Sequence, residues 1–202
     1  MLEIGCGPLG GFVPAARTLG YAAEGVDPEA PDEPGYRRIE FEDYPVRKPF
    51  DAVVACTSLH HVADLDLVLD RIRAALAPGG VLVVVEWARE RFDTATAEWC
   101  FARLDRRVHG AEAAGWLHRR RDEWLASGLS WPDYAAAWAA AEALHTGEQI
   151  LAGVDVRFDR RLSSTGPYFF PDLADTTEAD EQAAIDRAEI RANGIRYVGL
   201  RR

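Results

Sequence analysis

A glycine-rich segment near the start of the chain has the composition of a ligand-binding turn. The residues Gly5-Cys6-Gly7-Pro8-Leu9-Gly10 follow a short apolar run, Leu2-Glu3-Ile4, and precede a helical pattern from Phe12 to Leu19. Glycine adopts backbone angles that other residues avoid and lets a ligand approach the main chain closely. The N–H groups and partial positive charge at the start of the following helix favour a carboxylate or a phosphate.

An aspartate supplies a second feature of the same candidate site. Asp27 ends the next predicted strand, Tyr21–Val26, and lies twenty positions after Gly7. A carboxylate at this place can accept hydrogen bonds from both hydroxyls of a ribose. The Gly-x-Gly-x-x-Gly turns of nicotinamide and flavin proteins have a similar pattern, so the ligand class stays open at this point. A tight strand-to-helix turn with no ligand is the other interpretation.

Two histidines and a glutamate are candidates for acid–base chemistry. His60 and His61 follow the predicted fourth strand, and Glu86 ends the fifth. Open α/β sheets bind ligands beyond the carboxyl ends of their strands. An imidazole there can abstract a proton, because its unperturbed pKa is about 6.5. The alternatives are a histidine that packs under the following loop and a glutamate at a solvated strand end. Adjacent histidines are poor metal-ligand spacing, so no metal site is predicted.

These residues must be positioned by alternating strands and helices. Phe50–Cys56 predicts a buried strand, Arg37–Phe41 a further strand, and Asp64 caps a helix with apolar residues at helical spacing. The run Val81–Val85 has no polar alternation, which is typical of a central parallel strand covered on both faces. The alternation predicts right-handed βαβ units in a doubly wound α/β sheet.

The second half of the chain changes character. All six tryptophans lie between Trp87 and Trp138, in a segment that predicts several helices, one of them capped by Ser130. His109 and His145 are expected there as structural or exposed residues. Later segments predict a strand, a helix and a closing strand, at Val154–Leu162, Glu178–Ala192 and Ile195–Leu200.

Composition excludes several classes of partner. The chain has 202 residues and a formal net charge of −10, so nucleic acids and anionic membranes are not expected as partners. The basic run Arg119-Arg120-Arg121 is next to Asp122 and Glu123 and is interpreted as a solvated helix face. Three widely spaced cysteines without a Cys-x-x-Cys pair predict reduced thiols. With no signal peptide or membrane span expected, the predicted location is cytoplasmic.

Five motifs in order resemble those of class I S-adenosylmethionine-dependent methyltransferases. They cover residues 1–90, and the resemblance is vague beyond that range. The matching segments are Leu2-Glu3-Ile4-Gly5-Cys6-Gly7, Gly25-Val26-Asp27-Pro28, Phe50-Asp51-Ala52-Val53-Val54, Ser58-Leu59-His60-His61-Val62 and Leu76-Ala77-Pro78-Gly79-Gly80-Val81-Leu82-Val83. The resemblance implies a Rossmann-like, mostly parallel, seven-stranded sheet. It also implies a cofactor-binding half over 1–90, a helical substrate cap inserted after the fifth strand over 91–150, and a strand–helix–strand segment over 151–202 that completes the sheet.

The resemblance also implies roles for individual residues toward S-adenosylmethionine. Glu3 would orient the amino group, the turn would lie under the methionine part, Asp27 would bind the ribose, and Glu40 or Glu42 would lie near the adenine amino group. The full implied cofactor set is Glu3, Gly5, Cys6, Gly7, Asp27, Pro28, Glu40, Phe41, Glu42, Cys56 and Thr57. His61, His60 and Glu86 are the candidate catalytic residues.

The implied reaction is methyl transfer to the oxygen or nitrogen of a small apolar or aromatic molecule, with a homodimer left open. Two features depart from the family pattern: Leu9 occupies the usual place of the third glycine, and the chain starts inside the first strand. The second feature favours, as an alternative, a non-catalytic relative that binds a cofactor or a partner. A nicotinamide-dependent oxidoreductase is the weaker alternative, because no Tyr-x-x-x-Lys pair is present.

Overall fold

The computed structural model of the chain describes residues 1–105 and 115–202. His109 and part of the predicted cap therefore lie outside the described residues. The strands are β1 (Leu2–Ile4), β2 (Glu24–Val26), β3 (Tyr36–Arg37), β4 (Phe50–Cys56), β5 (Leu76–Trp87), β6 (Phe158–Gly166) and β7 (Gly194–Arg201). The helices are α1 (Val13–Thr18), α2 (Leu65–Ala75), α3 (Thr94–Phe101), α4 (Trp116–Ser127), α5 (Trp131–Ala141), α6 (Gly147–Arg157) and α7 (Glu178–Asp186).

The strands form one sheet in the order β3-β2-β1-β4-β5-β7-β6. β1 pairs in parallel with both β2 and β4, β2 pairs in parallel with β3, and β4 with β5. The chain therefore builds outward from β1 in one direction and then returns to build in the other, which makes β1 and β4 the point where strand order reverses. The predicted doubly wound, seven-stranded α/β sheet is confirmed, and sheets of this kind bind ligands at that point.

Apolar residues from β4 and β5 form the centre of the main core. Val53, Ala55, Leu82 and Val84 are at most 1% exposed, but Val54, Val83 and Val85, which point to the other face, are only partly buried. The predicted cover on both faces of these strands is therefore incomplete. Helix α2 contributes its apolar stripe to the same cluster. As predicted, the Asp64 side chain caps this helix, accepting a hydrogen bond from the Leu67 N–H at 2.9 Å.

The described residues divide into two compact units. The first contains 1–87, 145–164 and 195–202, and so holds almost all of the sheet. The second contains 88–144 and 165–194 and is built around aromatic side chains. Trp131 is 2% exposed there, and its indole N–H donates to the Phe92 carbonyl at 2.6 Å. Helices α3, α4 and α5, which follow β5 in the sequence, belong to this second unit. That they form a substrate cap stays a prediction.

Two element boundaries on the cofactor side of the sheet were predicted wrongly. β2 begins at Glu24 instead of Tyr21, because the Tyr21 N–H still donates to the Ala16 carbonyl at the end of α1. β3 ends at Arg37, and the residues Phe41–Asp43 form a short 3-10 turn instead of the end of a strand. In the second case, Phe41 is buried at 4% exposure without pairing in the sheet.

Two later boundaries were also wrong. Val154 and Val156 belong to α6, which begins after a capping box formed by Thr146 and Gln149. The helix continues to Arg157, so β6 begins only at Phe158. The β-branched side chains of the two valines favoured a strand in the sequence, but Ile150 and Val154 are buried at helical spacing. α7 ends at Asp186, and Ala188 then adopts a left-handed φ of 55°, which is typical of a helix end.

Candidate functional site

A cavity of about 540 Å³ lies at the carboxyl ends of β1, β2 and β4, where the strand order reverses. Its volume falls in the range of small-molecule sites, about 300–1,000 Å³. The lining residues come from four segments of the first unit: Ile4 and Gly5; Val26, Asp27 and Pro28; Glu40, Phe41, Glu42 and Asp43; Thr57, Ser58, His61, Val62 and Ala63. Residues from three of the five motifs, together with the segment Glu40–Asp43, therefore meet at one place.

Gly5 makes the closest backbone approach in this cavity. Its φ is 74°, and its N–H donates to the Val26 carbonyl at 2.9 Å. A Cβ atom at this position would lie 2.3 Å from the Ser58 Cβ atom, closer than real Cβ atoms come. Only glycine fits here, so the first and fourth strands can end side by side and leave main-chain atoms facing the cavity.

Asp27 is held in a fixed orientation at the end of β2. One carboxylate oxygen accepts from the Gly7 N–H at 3.0 Å and the other from the Glu29 N–H at 2.7 Å. The side chain is only partly buried and lines the cavity. Each oxygen has a further lone pair, so the carboxylate can still accept hydrogen bonds from hydroxyl groups of a ligand.

Four of the predicted cofactor residues do not line the cavity: Glu3, Cys6, Gly7 and Cys56. Glu3 is 1% exposed, and one of its oxygens accepts from the Phe12 and Val13 N–H groups at 2.6 and 3.1 Å. Its carboxylate therefore holds the start of α1, and burial raises its pKa.

The two cysteines of this group support the site from behind. Cys6 packs in an apolar cluster with Val13 and Tyr36, on the α1 side of the sheet. Burial raises the pKa of the Cys6 thiol to about 12 and that of Cys56 to about 11. Both thiols are protonated at neutral pH, so neither is a nucleophile.

Thr57 turns the chain out of β4 with a left-handed backbone. Its φ is 49°, which is an outlier for a β-branched residue, and its N–H donates to the Val85 carbonyl at 2.8 Å. Such a conformation costs about 1–3 kcal/mol and is found at functional sites. The turn brings Ser58, His61 and Val62 to the cavity wall.

Glu86 anchors the loop that follows β4. The residue is 0% exposed, and one oxygen accepts from the Leu59 N–H at 2.6 Å. The other oxygen accepts from the Trp87 N–H and from His60 Nδ1, each at 2.8 Å. Glu86 is thus a buried carboxylate. The alternative interpretation of the sequence, a glutamate at a solvated strand end, is wrong.

The two histidines of this loop have different surroundings. His60 is 5% exposed and points down to Glu86, while His61 lines the cavity. Their ring centroids are 4.1 Å apart. His145 holds the same loop from outside: its N–H donates to the His60 carbonyl and its Nε2 to the Val62 carbonyl, at 3.0 and 2.8 Å.

The sequence did not identify every cavity residue. Ser58, Asp43, Val62 and Ala63 line the cavity but were not predicted as site residues. The Ser58 hydroxyl oxygen is buried and has no hydrogen-bond partner in the described part of the chain. A buried hydroxyl with an unused donor is suited to a ligand. The sequence signal for Ser58 was its place at the start of the fourth motif, directly after the Thr57 turn that ends β4.

The cavity combines a carboxylate rim with an apolar wall. Asp27, Glu40, Glu42 and Asp43 carry the negative charge, and burial next to these carboxylates raises the pKa of Glu40. Phe41, which is 4% exposed, contributes an aromatic ring. The carboxylates can accept hydrogen bonds from hydroxyl and amino groups, and Phe41 offers an aromatic surface. Such a lining fits a nucleoside that also carries positive charge.

Within residues 1–105 and 115–202, no three or more histidine, cysteine or acidic side chains are gathered so that they could hold a metal ion. No helix in the same residues is long and apolar enough to cross a membrane.

The fold and the cavity define a Rossmann-like α/β protein with a cavity of small-molecule size where the strand order reverses. The sequence model of the methyltransferase domain family matches residues 1–132, and the chain belongs to this family. It is 32% identical over 126 residues to a ubiquinone biosynthesis O-methyltransferase of Nitrobacter winogradskyi, covering 54% of this chain and 48% of that protein. It is 33% identical over 138 residues to the protein of the same name from a Bradyrhizobium species, covering 61% and 50%.

The chain therefore spans about half the length of the curated relatives it matches. Among solved structures, it is similar to an S-adenosylmethionine-dependent methyltransferase from Mesorhizobium loti, with a TM-score of 0.56, 19% identity and coverage of 99% of this chain and 90% of that one. It is also similar to geranyl diphosphate C-methyltransferase from Streptomyces coelicolor, with a TM-score of 0.53, 15% identity and coverage of 100% and 71%. At these identities, the likeness shows the shared fold.

Proposed function

We propose that this chain binds S-adenosylmethionine in the 540 Å³ cavity and transfers its methyl group to a small molecule. The observation that carries the proposal is the meeting of the Gly5 turn with the fixed Asp27 carboxylate at the strand reversal. When bound, the cofactor supplies a methyl group already activated by a positively charged sulfur. The protein must then bind the cofactor and the acceptor, orient them toward each other and exclude water.

Each lining segment has a role in this proposal. Asp27 accepts hydrogen bonds from the ribose hydroxyls, and Glu40 or Glu42 accepts a hydrogen bond from the adenine amino group. Phe41 lies beside the adenine ring. The methionine part lies over Gly5 and the main chain at Thr57. The support is geometric: all six residues line one cavity of suitable volume and charge. Glu3, Cys6, Gly7 and Cys56 contribute from behind by fixing the turn and the strand ends.

The acceptor is proposed to be a hydroxyl group on a small apolar or aromatic molecule. The names of the relatives support oxygen as the accepting atom, because they are O-methyltransferases of ubiquinone biosynthesis. A hydroxyl must lose its proton as it is methylated. His61 is proposed as the base since it lines the cavity, and His60 and Glu86 are proposed as positioning residues that fix its loop.

Binding of S-adenosylhomocysteine tests the cofactor proposal. Asp27→Asn keeps the size of the side chain but removes its charge, so the affinity measured by calorimetry should fall about tenfold, as for hydrogen bonds to a charged group. Asp51→Asn makes the same change at an exposed site outside the cavity and should bind like the wild type. Unchanged affinity in Asp27→Asn would remove Asp27 from the site. Binding of NAD with no response to S-adenosylhomocysteine would favour the oxidoreductase alternative instead.

Turnover with hydroxyl-bearing aromatic acceptors tests the role of His61. His61→Gln should lower kcat about 100-fold, because it removes the proton acceptor, while the affinity for S-adenosylhomocysteine should change less than twofold. A normal rate in the variant would leave alignment as the whole contribution of this loop. If the wild type binds the cofactor but methylates no acceptor, the non-catalytic alternative is favoured.

A further inference from the structure

A second cavity, of about 400 Å³, lies beside β2, β3 and β4. Glu24 is the first residue of β2 and Phe50 the first of β4, and both line it. The rest of its wall comes from the end of β3 and from the segment after the 3-10 turn. The two cavities share no lining residue.

Three cationic side chains line this second cavity: Arg37, Arg47 and Lys48. Lys48 is the one lysine of the whole chain, whose formal net charge is −10. In the described part of the chain, no carboxylate lies at salt-bridge distance from Arg47 or Lys48. Cations gathered around a concave surface repel one another unless an anion lies between them.

The remaining wall of the cavity is rigid. The Tyr44 hydroxyl, on a side chain that is 6% exposed, donates to Glu24 at 3.0 Å. Burial and the adjacent carboxylate raise the pKa of Tyr44 to about 12. Phe50, also 6% exposed, adds an apolar surface. The single carboxylate in the lining is therefore engaged with a hydroxyl, and three cations outweigh it.

The arginine of β3 is already oriented by the main chain. One terminal nitrogen of Arg37 donates to the Tyr36 carbonyl at 2.8 Å, which fixes the guanidinium. A guanidinium has five N–H donors, and its planar fork matches the oxygens of a phosphate. Lysine adds a compact point charge that suits the same group. Two arginines and a lysine together match the charge of a diphosphate.

We propose that this cavity binds a small phosphate-bearing anion, at a site separate from the methyl-transfer cavity. Its lining carries cations, whereas the first cavity carries carboxylates, so the two select ligands of opposite charge. A nucleic acid is disfavoured by the acidic chain as a whole. The proposal does not depend on the proposed methyl transfer.

The single lysine allows a direct test with inorganic pyrophosphate as the probe. An amine-reactive acetylating reagent should modify Lys48 and the terminal amine, and peptide mass spectrometry gives each rate. Pyrophosphate should slow acetylation of Lys48 at least fivefold at millimolar concentration and leave the terminal amine unchanged. Sodium chloride at matched ionic strength should not protect Lys48.

A pair of arginine variants makes the test specific. Arg47→Gln should abolish the protection, measured against its own rate without ligand, while Arg73→Gln, an exposed site on α2, should retain it. Both sites are exposed, so neither change should alter the thermal unfolding of the protein. Equal protection by sodium chloride, or full protection in Arg47→Gln, would overturn the proposal. Equal protection by citrate would overturn the assignment to phosphate, since it would reveal a general site for polyanions.

Discussion

Replacing Glu86 with alanine should lower the free energy of unfolding by about 3–5 kcal/mol, the cost of removing one partner from a buried charged network. Glu86 is 0% exposed and accepts from the Leu59 and Trp87 N–H groups and from the His60 ring. Without the carboxylate, these buried donors lose their partners, and each unsatisfied donor is costly. Urea unfolding followed by circular dichroism would measure the change.

The matched control for this substitution is Asp51→Ala, on an exposed side chain of β4. Surface changes of this kind usually alter stability by less than about 0.5 kcal/mol. Faster hydrogen exchange of the Leu59 amide in Glu86→Ala would locate the loss in the loop after β4. A loss of stability below about 1 kcal/mol would contradict the anchoring role of Glu86.

Glu86→Gln separates the loop's order from its chemistry. The glutamine carbonyl can still accept from Leu59, but its NH₂ group faces the Trp87 N–H and the His60 ring, which also donate. We expect this variant to fold and to bind S-adenosylhomocysteine with an affinity close to that of the wild type. Its kcat should fall while KM for the acceptor changes little, because the loop that carries His61 loses its fixed orientation.

Local sequence signals were enough to predict the framework of the site. The bounds of β4 and the cap at Asp64 match the structure, because a buried parallel strand and a capped helix are specified by the residues within them. Gly5 and Asp27 were also identified from their spacing, and they meet in one cavity. These features need only a strand, a turn and the rules of parallel pairing.

Contacts between strands distant in sequence were not predictable in the same way. Nothing near Glu86 indicates that its carboxylate accepts a hydrogen bond from Leu59, 27 positions earlier, because this depends on the register of β4 against β5. Glu3 shows the same limit. Nothing near Glu3 indicates that its carboxylate accepts from the Phe12 and Val13 N–H groups at the start of α1, nine and ten positions later.

Gly5→Ala should have the largest effect on the cofactor cavity. The new Cβ atom would lie 2.3 Å from the Ser58 Cβ atom, and the backbone would keep an unfavourable φ of 74°. The left-handed conformation costs about 1–2 kcal/mol and overpacking about 1–3 kcal/mol, so stability should fall by about 2–5 kcal/mol. Because relief of the clash requires Ser58 to move, affinity for S-adenosylhomocysteine should fall more than 30-fold by calorimetry.

Gly20→Ala is the matched control for backbone strain. Gly20 has a φ of 87°, and nothing lies within 4 Å of a Cβ atom built there, at the end of α1 and outside the cavity. The Gly20→Ala variant should therefore lose stability only through its unfavourable φ, and it should keep its affinity for S-adenosylhomocysteine. If both alanine variants bind the ligand equally well, the close approach at Gly5 does not form the site.

The double variant Gly5→Ala/Ser58→Gly distinguishes crowding from strain at Gly5 itself. Removing the Ser58 side chain eliminates the two atoms that would crowd the new methyl group and leaves the Ser58 Cα atom at 3.6 Å, an ordinary contact; the left-handed φ remains. We expect the double variant to recover about 1–2 kcal/mol of stability relative to Gly5→Ala, which is a coupling typical of residues in contact. Affinity should recover only in part, because the buried Ser58 hydroxyl is also lost. Additive losses would mean that the first and fourth strands do not depend on this contact to end side by side.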